Sequence, residues 1–154
     1  MQHVVYTEAK ASELENLLSG EKTMLIRSSS DRQVPYEKVE VGDTLFFLRN
    51  NGEGLIRAKA TVSSVLFSEK LTKVRSLELI GDYQEKLQLT EEQTKRWGGK
   101  RYLVLVGVEK VIRLYPFDIN KSKFGNMEDW IPIKNIEKIK IALDEEKPPT
   151  NIMP

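Results

Sequence analysis

The chain has 154 residues, no cysteine and one histidine, His3. That length fits one domain with a core of its own, and the composition excludes thiol catalysis, disulfides and the usual Cys/His zinc sites. Its 24 Lys and Arg against 23 Asp and Glu leave a formal charge of +1, so no global field pulls it onto nucleic acid and any such binding has to be local.

The first predicted element is a helix of about eight residues, opened by a capping box of Ser12 and Glu15. Leu14, Leu17 and Leu18 lie on one of its faces, and Gly20 stops it. Thr23 to Arg27 (TMLIR) alternates as a strand does, and Ser28 to Asp31 reads as a loop. Val41-Gly42-Asp43 is a turn into an aromatic strand that reaches Asn50, and Asn51-Gly52 is a tight hairpin turn. The next strand, Gly54 to Phe67, places Ile56, Ala58, Ala60 and Val62 on one side and Arg57, Lys59 and Thr61 on the other. Small alanines on the inner side suit a small barrel.

From Lys70 to Gly98 the pattern is helical. Val74, Leu77, Leu79 and Ile80 form one stripe, and a second short helix is capped by Thr90 with Gln93 and closed by Gly98-Gly99. Arg101 to Tyr115 is nearly continuous apolar sequence, predicted as a central strand buried on both faces, with a bulge or bend at Gly107 and an end at Pro116. Trp130 to Ile141 is predicted as a loop and then a terminal strand. The proline-rich end reads as a flexible tail, which places one domain at residues 1–141 and the tail at 142–154. The sum is an α+β domain on a small, mostly antiparallel β-barrel with two or three short helices.

No segment has the run of about eighteen apolar residues that a membrane span needs, and Met1 to Lys10 lack a basic start followed by an apolar stretch. A cytoplasmic protein without a membrane partner is expected, and no metal or cofactor is called for.

The helix ending in Leu-Leu-Ser-Gly, the following Glu-Lys-Thr, the strand ending in arginine and the Val-Gly-Asp turn together resemble the ASCH family, relatives of the RNA-binding PUA domains. Gly20, Lys22 and Arg27 match its Gly-x-Lys-x-x-Glu-x-Arg signature, and Leu25 stands where the signature has glutamate. The resemblance implies a PUA-like barrel and a basic cleft that displays Lys22 and Arg27 to RNA or a modified nucleoside. A lysine brings a mobile point charge and an arginine a planar fork, a pairing that suits phosphates and base edges. On one strand the two would point to opposite faces, so their convergence requires the chain to be still turning at Lys22.

Some small ASCH proteins hydrolyse acetylated cytidine with the motif lysine, a threonine three residues later and a distant glutamate. The threonine position here is again Leu25, and Thr23 is its nearest substitute. A small amidohydrolase or nuclease is therefore the alternative function. Further binding candidates are Ser28 and Arg32 beyond the motif, Arg57 on the Gly54 to Phe67 strand, and Trp97 and Arg101 in the basic run KRWGGKR, where an aromatic could stack a base. Each also has a plain reading, as connector, solvated strand face or helix-end packing. Trp130 reads as core, Asp43 as a turn residue, and His3 is assigned no role.

Overall fold

The computed structural model describes residues 1–29, 38–122 and 129–141. Its strands are β1 (Gln2–Thr7), β2 (Met24–Ser29), β3 (Thr44–Arg49), β4 (Leu55–Phe67), β5 (Tyr102–Asp118) and β6 (Trp130–Ile133). Its helices are α1 (Glu13–Ser19), α2 (Lys73–Asp82), α3 (Gln84–Leu87), α4 (Glu91–Trp97) and α5 (Ile136–Ile139). The strands form a single mixed sheet in the order β2-β5-β4-β3-β1-β6, curled into a half-barrel. Every pairing is antiparallel except that of β1 with β3, which runs parallel from Gln2 opposite Thr44 to Thr7 opposite Arg49. The α+β, mostly antiparallel architecture expected from the sequence is the one found.

Both faces of the sheet are covered, so β3 buries Leu45 and Phe47 on one side and Phe46 and Leu48 on the other. The inner cluster joins Val5, Phe47, Ala58, Ala60 and Trp130 to Leu14 and Leu17 of α1, which plugs the half-barrel. Two outer clusters lie under the helices: Ile131 and Ile136 with Val4 and Ile56, and Met24 and Ile26 with Ile80, Leu87 and Leu89. Long β4 and β5 pair along most of their lengths, with register shifts between Ile56 and Ser64 that let the sheet curl. Gly107 faces Ser64 at one such place, where an added Cβ would stand 2.2 Å from the serine Oγ. The bulge or bend expected at Gly107 coincides with the register shift between Val62 and Ser64, and a larger residue there would require the Ser64 hydroxyl to turn away.

Several predicted details differ. Ser12 sits in the left-handed region (φ 53°) and makes no side-chain cap, while Glu15 is ion-paired with Arg49, so there is no capping box at α1. β1 has no counterpart among the predicted elements. β5 is buried on both faces only to Val108, then continues past Pro116 to Asp118 with its side chains half-buried or exposed. In the last segment the order is inverted: Trp130 begins a strand, and Ile136–Ile139 is a helical turn whose Asn135 Oδ1 accepts the Glu137 N–H. Val74 and Leu77 of α2 are exposed, and only Ile80 of the predicted stripe is fully buried. The tail at 142–154 and Arg32 lie outside the described residues.

No described helix is long and apolar enough to cross a membrane.

Candidate functional site

The motif lies where α1 hands over to β2. Gly20, at φ 87°, ends the helix in a left-handed turn, and the Lys22 N–H donates to the Asn16 carbonyl at 3.1 Å. Thr23 N–H donates to the Lys86 carbonyl, so Lys22 is fixed in a turn before β2 begins at Met24. The chain is thus still turning at Lys22, and both motif cations are buried rather than displayed, Lys22 to 2 % exposure and Arg27 to 7 %. Leu25, in the signature glutamate's position, is fully buried in the inner core with Leu14 and Leu17.

Lys22 is held by acceptors from two helices. Its Nζ donates to the Leu87 carbonyl of α3 and lies 3.4 Å from Glu13 Oε2 of α1. Burial pushes its pKa down, and the Glu13 carboxylate opposes that shift. The other Glu13 oxygen accepts the Glu8 N–H at 2.8 Å. The Glu8 side chain in turn reaches α4, accepting from Gln93 Nε2 at 2.7 Å and from the Arg96 guanidinium. A chain of polar contacts thus runs from Lys22 through Glu13 and Glu8 to α4.

Arg27 shares the inner face of β2 with Leu25. Its guanidinium donates to the carbonyls of Ile26 (2.7 Å) and Tyr6 (2.8 Å). It also lies between two indoles, 5.6 Å from the Trp97 ring centroid and 5.3 Å from that of Trp130. Asp129 Oδ2 stands 3.2 Å from Nε, yet this buried nitrogen has no hydrogen-bond partner among the described residues. The contact is close enough for ionic attraction and off the line of the N–H. Trp130 is itself anchored: its Nε1–H donates to His3 Nδ1 at 3.1 Å, and His3 Nε2 lies 2.9 Å from Asp43 Oδ2. Since Nδ1 accepts, the ring proton is on Nε2, and it points at Asp43. His3 is therefore a buried support of the site, a correction to the reading of no role, and Asp43, the turn residue expected, supports it as well: its N–H donates to the Glu40 carbonyl while its carboxylate meets His3.

The remaining candidates divide. Trp97 is brought against Arg27. Thr23 is exposed and Ser28, next to Arg27, points to the opposite face of β2, so neither joins the cluster. The Ser28 Oγ is buried without a partner among the described residues. Arg57 is engaged in a bidentate pair with Glu53 (2.5 and 3.1 Å). Arg101 is exposed on the turn after α4.

A cleft of about 480 Å³ opens beside the network, lined by Glu8, Lys10, Asn50, Asn51, Thr90 and Arg96 among others. Lys22 and Arg27 do not line this cleft, and its charged residues, Glu8 and Glu92 with Lys10 and Arg96, make it close to neutral rather than basic. The sequence readings missed Glu8, Glu13 and Asp129. Of these only Glu13 carried a signal, standing one residue before Leu14 and four before Leu17 on the buried face of α1.

No family model and no curated protein matches the chain. Among solved structures it is similar to the ASCH protein of Zymomonas mobilis, with a TM-score of 0.66 and 12% identity over 89% of this chain and 90% of that one. Two variants of that protein give a TM-score of 0.67, also at 12% identity, covering 89% of this chain and 93% or 91% of theirs. The chain has the ASCH fold; identity this low carries the fold alone.

Proposed function

We propose that this ASCH-fold protein binds a nucleobase, presented by RNA or by a modified nucleoside, at the slot formed by Arg27, Trp97 and Trp130. The observation that carries the reading is the Arg27 guanidinium, nine-tenths buried between two indoles with its Nε–H donor unspent. A planar ligand with a ring nitrogen or carbonyl at its edge supplies what that donor lacks, and the half-buried Trp97 offers a face for stacking. Asp129, about half exposed, is the group such a ligand displaces from Nε. Since the cations are each balanced by a carboxylate, selection falls on the base rather than on phosphate.

Calorimetric titration with nucleosides and with single-stranded RNA tests this. Arg27→Ala and Trp97→Ala are each expected to weaken binding by roughly 5- to 150-fold, the worth of one stacked base. Binding unchanged in both variants removes the slot from the account.

Hydrolysis is the second reading, and the observation favouring it is Lys22, a lysine of lowered pKa beside Glu13. Against it, the position three residues on is a core leucine with no nucleophile. Chromatography of acetylated cytidine and of single-stranded RNA after incubation decides it, turnover of either substrate supporting the enzyme and turnover of neither excluding both reactions.

A further inference from the structure

Besides the paired cations there is a second group of basic residues that the fold leaves unpaired. The turn that closes α4 packs on the start of α2: Gly99 N–H donates to Ser76 Oγ at 3.0 Å, and Leu71 N–H donates to the Arg101 carbonyl at 2.7 Å. The approach is tight, since a Cβ on Gly98 would stand 2.5 Å from Leu77 Cδ2 and one on Gly99 3.3 Å from Lys73 Cγ. Two stretches of chain far apart in sequence thereby share one face, Lys70 and Lys73 from one side and Lys95, Lys100 and Arg101 from the other. All five are exposed, and none makes an ion pair or a side-chain hydrogen bond among the described residues.

Other basic residues, Lys59 and Lys110 among them, also lack an ion pair among the described residues, so what distinguishes these five is that they are gathered together. Lys22, Arg27, Arg49, Arg57 and Arg96 each meet a carboxylate. The nearby acids are Glu69, Glu78, which is held by Arg75 at 2.6 Å, and Glu91 and Glu92, one turn before Lys95 on α4. From Gln93 to Tyr102 there is no acidic residue at all. The positive end of the α2 dipole adds to the same field. Unpaired like charges gathered this way repel one another unless a polyanion neutralises them. The face also adjoins the base slot, because Trp97, between Lys95 and Lys100 in the chain, lies over Arg27.

We propose that Lys70, Lys73, Lys95, Lys100 and Arg101 receive the phosphates of a single-stranded RNA whose base is held at Arg27, so that the ligand is a polymer and not a free nucleoside. The inference rests on the base-slot reading for the position of that base. A single strand fits because its bases are free to turn into a slot while its backbone stays on the charged face.

The test is fluorescence-anisotropy binding of a single-stranded RNA of about ten nucleotides containing all four bases, a length within the usual site sizes of strand-binding domains. It is run at several salt concentrations beside a heparin competitor and a free-nucleoside titration. The triple variant Lys73→Glu, Lys100→Glu, Arg101→Glu changes exposed positions only, and an unchanged thermal melt certifies its fold. It is expected to bind RNA at least about tenfold more weakly near 0.1 M salt, with a log–log salt slope flatter by about two, and to bind nucleosides as the wild type does. In Arg27→Ala the salt slope is expected to persist while affinity falls. Wild-type affinity and slope in the triple variant overturn the face and leave the slot standing. A flattened slope in the triple variant, with Arg27→Ala indistinguishable from wild type, supports the face and removes the slot. Equal competition by heparin at matched charge overturns the assignment to RNA.

Discussion

Lys22 has almost no contact with water, and the groups that keep it there are Glu13 and the Leu87 carbonyl. Replacing it with methionine fills the space but leaves a buried carboxylate uncompensated. Lys22→Met is expected to cost about 3–5 kcal/mol in urea denaturation, and Lys22→Met with Glu13→Gln to recover at least half of that. An equal loss in single and double variants would mean that the two do not act as a pair.

His3 makes a prediction in pH. Its Nδ1 accepts the Trp130 N–H, so a second ring proton would set two donors against each other, and burial lowers its pKa against the pull of Asp43. Below the unperturbed value near 6.5 the unfolded chain then binds more protons than the folded one. The contribution is fully present above that value and is lost as pH falls through the lowered folded pKa. The melting temperature should therefore drop between pH 7 and pH 5, and His3→Gln should flatten the drop. An identical profile in the variant would remove His3 as its source.

At this scale Lys22 and Arg27 were legible as motif positions and Trp97 as an aromatic among bases. Their partners were not, because Asp129 and Glu8 reach the site from distant stretches of chain and each looks locally like an ordinary surface acid. His3 was hidden for the same reason, its two partners being residues 43 and 130.

At the scale of elements, α4 carries Trp97, which packs on Arg27, and its side-chain hydrogen bonds to the barrel side among the described residues run to Glu8, from Gln93 and Arg96. Its start is fixed by a capping box of Thr90 and Gln93, and its end by Gly98. Removing the Glu8 carboxylate leaves both caps in place. Glu8→Ala should change global stability by no more than about 1 kcal/mol, as expected for a partly exposed ion pair. Amide exchange across Glu91–Trp97 should nevertheless rise well above that of β4 and β5. Uniform exchange with the wild type would show that the caps and Trp97 packing suffice. The α4 caps could be read from the sequence because both partners sit within one turn. The start of α1 could not, since Glu15 is taken by Arg49 from across the barrel. The exposed Val74 and Leu77 obey helical spacing as well as Ile80 does, so periodicity alone could not tell which side α2 buries.

For the whole molecule, alternation in β4 and the apolar run of β5 announced a curled sheet before any pairing was known. The parallel insertion of β1 between β3 and β6 was not announced, because a six-residue strand of mixed polarity has no local pattern that separates it from a loop. Charge is organised at this scale too: neutralised in the pocket, unpaired on the face of α2 and the turn after α4. A net charge of +1 conceals both arrangements, so total composition could only say that any binding of nucleic acid had to be local.

The base slot is tested most directly by nuclear magnetic resonance of the Arg27 Nε–H and of the two indole N–H groups during titration with a nucleoside mixture and then with single-stranded RNA. The account predicts that the Arg27 Nε–H and Trp97 signals shift with a common saturation curve, while Trp130, anchored on His3, moves least. Binding of RNA that leaves both Arg27 and Trp97 signals in place would contradict it.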